Sequence, residues 1–275
     1  MPTVLLLIKW KTIVADLRDN SSFLFFFAKN IREVNLIIEQ GNTSSKVAVY
    51  AGGRIVASFM YRRLDVSDIA ALFDKYPFTG GILSTVIDVD DELVSCIRKR
   101  IPRFICFDES VKLPIEVKYQ TPATLGKDRL AAVVGANYLY PDRNILVIDA
   151  GTAITYEVVE ANGIYLGGNI SPGMSTRFKA LNNFTKRLPL VSEKEEQPFI
   201  GVSTESAIQA GVVNGIVFEM DGYIDCLRSK YSDLLVFLTG GHSFYFERRL
   251  KNSIFADINL VLTGLNRILE YNVED

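Results

Sequence analysis

The chain has 275 residues, 48% of them hydrophobic and 23% charged, which suits one large or two mid-sized globular domains and excludes a disordered chain. Its net charge of −2 lacks the basic excess of a dedicated nucleic-acid binder, so a small-molecule ligand and no nucleic acid is expected. Cys96, Cys106 and Cys226 form no CxxC pair or disulfide framework and fit a reducing, cytoplasmic setting, while the single histidine, His242, speaks against a zinc cluster or a Ser-His-Asp hydrolase.

Residues 1–33 hold two apolar runs, VLLLI and FLFFFA, each broken well short of the roughly 20 residues that a membrane span needs. They lack the basic start and small-residue cleavage pattern of a signal peptide, so no membrane association is expected. This atypical leader reads as an added strand or helix or, the preferred reading, as upstream sequence ahead of a biological start near Val34.

From Val34 the pattern predicts strands at 34–39, 46–51 and 55–60, the last two joined by a Gly52-Gly53 turn. A helix at 66–75, a strand at 82–86, a charged helix at 89–100 and a strand at 103–107 complete the first half. The second half opens the same way, with strands at 145–149, 154–159 and 164–170 and an Asn162-Gly163 turn. A helix running to 183 is expected to carry Pro172 in its first turn, where the missing N–H costs nothing. A polar loop (192–198), a long helix (204–230), a strand (234–238), a Gly-Gly turn and a helix near 258–271 follow. The expected organisation is therefore a duplicated α/β fold, with domains over 34–143 and 144–275.

The repetition extends to chemistry. NLIIEQGNTSSKVAVY (35–50) and NILVIDAGTAITYEVV (144–159) superpose Glu39 on Asp149, Gly41 on Gly151 and Asn42 on Thr152. Glycines at such turns let the backbone approach a ligand, and their N–H groups, with the hydroxyls of Thr43, Ser44, Thr152 and Thr155, suit phosphate oxygens. Glu39 and Asp149 repel phosphate but can hold a cation that binds it. An acid-x-Gly bend alone is more simply a hairpin turn. Two in register read as a clamp for a metal-bound nucleoside triphosphate. No GxxxxGK[ST] and no GxGxxG occurs, so neither a P-loop enzyme nor a Rossmann dehydrogenase is indicated.

LGKDRLAAVVGANYLY (125–140) adds an acid and a base at the start of a helix whose small residues, Ala131, Ala132, Gly135 and Ala136, permit close packing. Asp128 there is either a catalytic carboxylate or a complement to the helix N-terminus.

NLIIEQGNTSSK, LGKDR, DAGTAIT, GGNISPG (167–173) and LTGG (238–241), in this order, together resemble the type III pantothenate kinases from Val34 onward. The resemblance implies the actin/hexokinase/Hsp70-like fold: two actin-like ATPase (RNase H-like) α/β domains, each a mixed five-stranded sheet with helices, around an ATP cleft. It implies transfer of the γ-phosphoryl group of ATP to pantothenate, the first committed step toward coenzyme A. Asp128 becomes the general base, and Tyr119, Gly126, Lys127, Arg129 and Thr204 join it in pantothenate binding. Thr204 could equally be an N-cap. Glu39, Gln40, Gly41, Asn42, Thr43, Ser44, Ser45, Lys46 and Thr152 fall to ATP with Mg2+, Asp149 to K+ or NH4+, and a homodimer is implied. Gly240 and Gly241 lie either against adenosine or in a plain turn, and His242 reads as structural. Glu39 and Glu157 stand where the family commonly has Asp. The rival readings are a catalytically silent nucleotide-binding relative and a kinase for another small hydroxyl substrate.

Overall fold

The computed structural model describes residues 33–273, so the leader reading lies outside the described residues. A meander of β1 (Val34–Gln40), β2 (Ser45–Ala51) and β3 (Arg54–Tyr61) leads to α1 (Val66–Lys75), β4 (Gly80–Thr85), α2 (Asp91–Arg100) and β5 (Arg103–Cys106). These strands form one sheet in the order β3-β2-β1-β4-β5, antiparallel across the meander and parallel beyond β1. After β6 (Glu116–Val117), a short 3-10 turn at Pro122–Thr124 and α3 (Lys127–Leu139), the second meander follows as β7 (Ile145–Ala150), β8 (Ala153–Val159) and β9 (Ile164–Pro172). The chain closes with α4 (Met174–Phe184), α5 (Thr204–Lys230), β10 (Leu235–Thr239), α6 (Ser243–Glu247), β11 (Phe255–Ala256) and α7 (Leu260–Tyr271).

The second sheet runs β11-β10-β7-β8-β9-β6, so its first five strands repeat the order of the first sheet. It has six strands where five are expected. The extra one, β6, comes from the first half and pairs in parallel with β9. The cause is local: Leu113, Ile115, Val117 and Tyr119 alternate with Pro114, Glu116 and Lys118 and lay their apolar side on the central core. β1 and β7 lie inside their sheets and read as near-continuous apolar runs, whereas β3, on an edge, alternates between exposed and half-buried residues.

Three cores hold these layers. One packs β1, β2 and β4 on α1 and α2 through Ile38, Val47, Leu72, Leu93 and Ile97. Another packs β7 and β10 on α5 through Leu146, Ile148, Ile216 and Met220. The third runs between the sheets and joins Ile37 and Ile82 to Ile145 and Val147 by way of α3 and α7. Helices α3 and α7 cross backbone to backbone: a Cβ on Gly135 would strike the Leu260 carbonyl, and one on Gly264 would strike the Ala131 carbonyl. Ala131, Ala132, Gly135 and Ala136 are thus buried within the chain, and the close packing their small face permits is taken up by α7.

Two expectations about helix starts are corrected. Pro172 ends β9, opposite Ala153, and α4 begins after Gly173; a proline without an N–H is tolerated at the last rung of a strand as well as in a first helical turn. Ser203, not Thr204, caps α5, its hydroxyl accepting from the Ser206 N–H in a capping box. No helix among the described residues is long and apolar enough to cross a membrane.

Candidate active site

Each meander opens on a tight bend at the end of its first strand. The Gly41 N–H donates to the Ser44 carbonyl at 3.0 Å, and the Gly151 N–H to the Ala153 carbonyl at 3.0 Å. The first bend is one residue longer: Glu39 pairs across the strands with Lys46, whereas Asp149 pairs with Thr155. Lys46 therefore stands where the second bend has a hydroxyl, with its Nζ 3.5 Å from Glu39 Oε2.

The acids of the two bends are close enough to feel one another. Asp149 is pushed up from 3.8 to about 7 by burial and by the negative charge of Glu39, with Lys46 opposing and Asp128 and Glu157 adding to the rise. Three carboxylates, Glu39 and Asp128 from the first half and Glu157 from the second, thus lie near enough to Asp149 to raise it. Gly240, at φ +92°, closes over it: a Cβ there would strike Asp149 Oδ1, so this glycine is required by backbone and space alike. The buried side-chain polar atoms left without a hydrogen bond among the described residues are Glu39 Oε2, Gln40 Oε1, Thr239 Oγ1, His242 Nδ1 and Ser243 Oγ, all at or just beyond the ends of β1 and β10. Buried polar atoms are normally paired; apart from Glu39 Oε2, which has the Lys46 ammonium beside it, these lack a partner among the described residues, which suits a polar ligand.

Asp128 sits in the first turn of α3, which Gly126 starts without a side-chain cap. Its Oδ1 accepts from the Arg129 N–H at 2.9 Å. A Cβ on Gly126 would lie 2.5 Å from that same Oδ1, so glycine makes room for the carboxylate. Arg129, only 7% exposed, donates from Nε and Nη2 to the two oxygens of Glu157 at 2.5 and 2.8 Å. Its guanidinium lies 5.6 Å from the ring centre of Tyr119, which stacks on Tyr165 at 6.3 Å.

Of the residues singled out in the sequence, Glu39, Lys46, Asp128, Asp149, Arg129 and Tyr119 therefore gather here. Gln40 and Ser45 are buried at the first bend, Gly41 and Ser44 are half-buried, and Asn42 and Thr43 are exposed on its tip. Thr152 is exposed on the second bend, its carbonyl accepting from Gly173 and from Thr176. Lys127 turns to Glu109 at 3.2 Å and to the ring of Phe107. Thr204 stands exposed at the start of α5, and no hydrogen bond or ion pair links it to the group among the described residues. Glu157 and Tyr165 carry no site role in the sequence reading; an acid within the apolar run ITYEVV is the signal that could have found the first.

No three of the His, Cys, Asp and Glu side chains among the described residues form a metal cage. The donors fit cations completed by ligand oxygens instead: a magnesium ion commonly takes one or two carboxylates, waters and substrate phosphates, and Asp149 offers a buried carboxylate whose raised proton affinity a cation would reverse.

Two β-β-β meanders, each extended by two further parallel strands reached through helices and each with an acid-glycine bend after its first strand, define the fold class as actin/hexokinase/Hsp70-like. Solved structures agree on the fold: a protein from Campylobacter jejuni assigned to the Baf family of transcriptional activators aligns with a TM-score of 0.57 at 21% identity, covering 87% of this chain and 100% of its own. One from Sinorhizobium meliloti assigned as a 2-dehydro-3-deoxygalactonokinase aligns at 0.55 and 12% identity, covering 86% and 98%. Residues 35–226 match the family described as type III pantothenate kinase. The type III pantothenate kinase of Phocaeicola vulgatus is 49% identical over 239 residues, 87% of this chain and 99% of the relative. The chain belongs to the type III pantothenate kinase family.

Proposed function

We propose that this chain transfers the γ-phosphoryl group of ATP to the primary hydroxyl of pantothenate, with Asp128 as the general base. The observation that supports it best is the family match over residues 35–226, which includes Asp128 in the first turn of α3 beside the buried Arg129. The hydroxyl proton passes to Asp128 as the oxygen bonds to phosphorus and the bond to the β-phosphate oxygen breaks, releasing ADP. Such a transfer demands chiefly positioning and charge neutralisation.

The N–H groups at the tips of the two bends, beyond those of Gly41 and Gly151 that close them, would meet the phosphates together with Thr43, Ser44 and Thr152. Lys46 adds positive charge beside Glu39. Magnesium with ATP and a potassium or ammonium ion at Asp149 would neutralise phosphate charge; Glu39, one methylene longer than the usual Asp, would hold the former. Tyr119, Gly126, Lys127, Arg129 and Thr204 are assigned to pantothenate. The active species is a cytoplasmic homodimer, supported by an apolar face at the start of α5: Phe199, Ile200 and Val202 are 72%, 74% and 93% exposed, and Phe199 meets Phe218 edge-on at 6.2 Å.

A coupled ADP-release assay with pantothenate against a panel of sugars and hydroxy acids, with and without potassium, tests the reading. Pantothenate-dependent ADP release that rises with potassium is expected; ATP binding without turnover of any acceptor contradicts it.

A further inference from the structure

Glu157 is 0% exposed on β8, and a buried carboxylate is costly unless its charge is met. Its oxygens are met by Nε and Nη2 of Arg129, 28 residues earlier in the chain, and by the Tyr165 hydroxyl, which donates to Oε2 at 2.6 Å. Burial and the Glu157 charge push that hydroxyl well above the ordinary tyrosine value, so it stays a donor. The Glu157 side chain lies over Gly168, its cross-strand partner on β9; a Cβ there would strike Glu157 Oε2 and the Tyr156 carbonyl. Gly168 is therefore the gap through which an acid on β8 reaches an arginine on α3.

A carboxylate gripping an arginine along the Nε–Nη2 edge fixes the guanidinium plane and leaves Nη1, with two N–H donors, pointing elsewhere. Nη2 also contacts the Tyr165 oxygen at 3.3 Å, and Tyr119 lies against the guanidinium with its ring and adds a side-chain hydrogen bond, so rotation is blocked on several sides. We infer that Glu157, assisted by Tyr165, is a positioning residue that sets the guanidinium of Arg129 and presents its Nη1 edge to the acceptor substrate. The inference rests on the pantothenate reading and extends it to a side chain that touches no substrate itself. A purely structural ion pair would use the same contacts, and the kinetic split separates the two.

The experiment is steady-state kinetics of the full chain with Glu157→Gln, Glu157→Asp and Tyr165→Phe, alongside melting temperatures. Mis-set positioning predicts KM for pantothenate raised about tenfold in Glu157→Gln and about threefold in Tyr165→Phe, with kcat and KM for ATP within about twofold. Glu157→Asp, which keeps the charge and loses reach, should fall between them. If Glu157→Gln does not fold, Tyr165→Phe decides alone, since it removes one hydroxyl. An unchanged pantothenate KM beside a fully active parent overturns the inference and leaves the kinase reading standing. Loss of kcat, both affinities and melting temperature together overturns it too, because that is the pattern of a scaffold defect. A parent enzyme that does not turn over pantothenate overturns both.

Discussion

Asp149 shows how one residue ties stability to ligand. Its carboxyl is raised from 3.8 to about 7 by burial first and by Glu39 second. A group raised in the folded state contributes stability that is fully present below its unfolded value and lost as pH rises through its folded one. The cation-free protein should therefore lose melting temperature between about pH 4 and pH 7 relative to Asp149→Asn, which lacks the titration. A potassium ion beside the carboxylate, as proposed, would offset its burial, so added potassium should raise the melting temperature more at pH 8 than at pH 5. Parallel pH–melting curves for parent and Asp149→Asn, or equal potassium effects at both pH values, would refute the assignment of the cation to this side chain.

Among the elements, the crossing of α3 and α7 carries the joint between the two sheets. Gly264→Ala places a methyl against the Ala131 carbonyl, where backbone must move, and should cost about 3 kcal/mol or more. Gly211→Ala is the control: it lies exposed within α5 with nothing within 4 Å of the new methyl, and should stabilise by about 0.5–1 kcal/mol. Urea midpoints of the two variants check the contrast, and a Gly264→Ala variant as stable as the parent would show that the crossing is looser than drawn. The same crossing shows what sequence can and cannot give. The small face of α3 was legible from Ala131, Ala132, Gly135 and Ala136, but its partner was not, because Gly264 is 129 positions beyond Gly135 and nothing local links them. Strands β1 to β4 and β7 to β10 emerge within about two residues of the pattern, since period and turn residues are local signals. The two-residue strands β6 and β11 exist only through pairing with distant strands, and α6 spans little more than one turn, so none carries a period of its own. In the site, the glycine bends and Asp128 were readable as motifs. The Arg129–Glu157 pair was not, because it joins a helix to a strand of the next meander.

At the scale of the whole molecule, duplication explains the architecture: two like sheets, each ending its first strand in an acid-glycine bend, are joined by α3 and α7 so that the acids of the two bends lie close enough to feel one another. The exposed apolar face around Phe199 is the surface that association would cover. Phe199→Glu should convert a dimer to a monomer by light scattering at micromolar concentration, while a parent already monomeric there would remove the dimer from the proposal. The most direct test of the catalytic claim is pantothenate-dependent ADP release by the parent and by Asp128→Asn, matched for melting temperature. Because one base beside the acceptor hydroxyl contributes about 10²–10⁴-fold, the substituted enzyme should keep its fold and its ATP affinity and lose turnover by that factor. Turnover undiminished in Asp128→Asn would contradict the account.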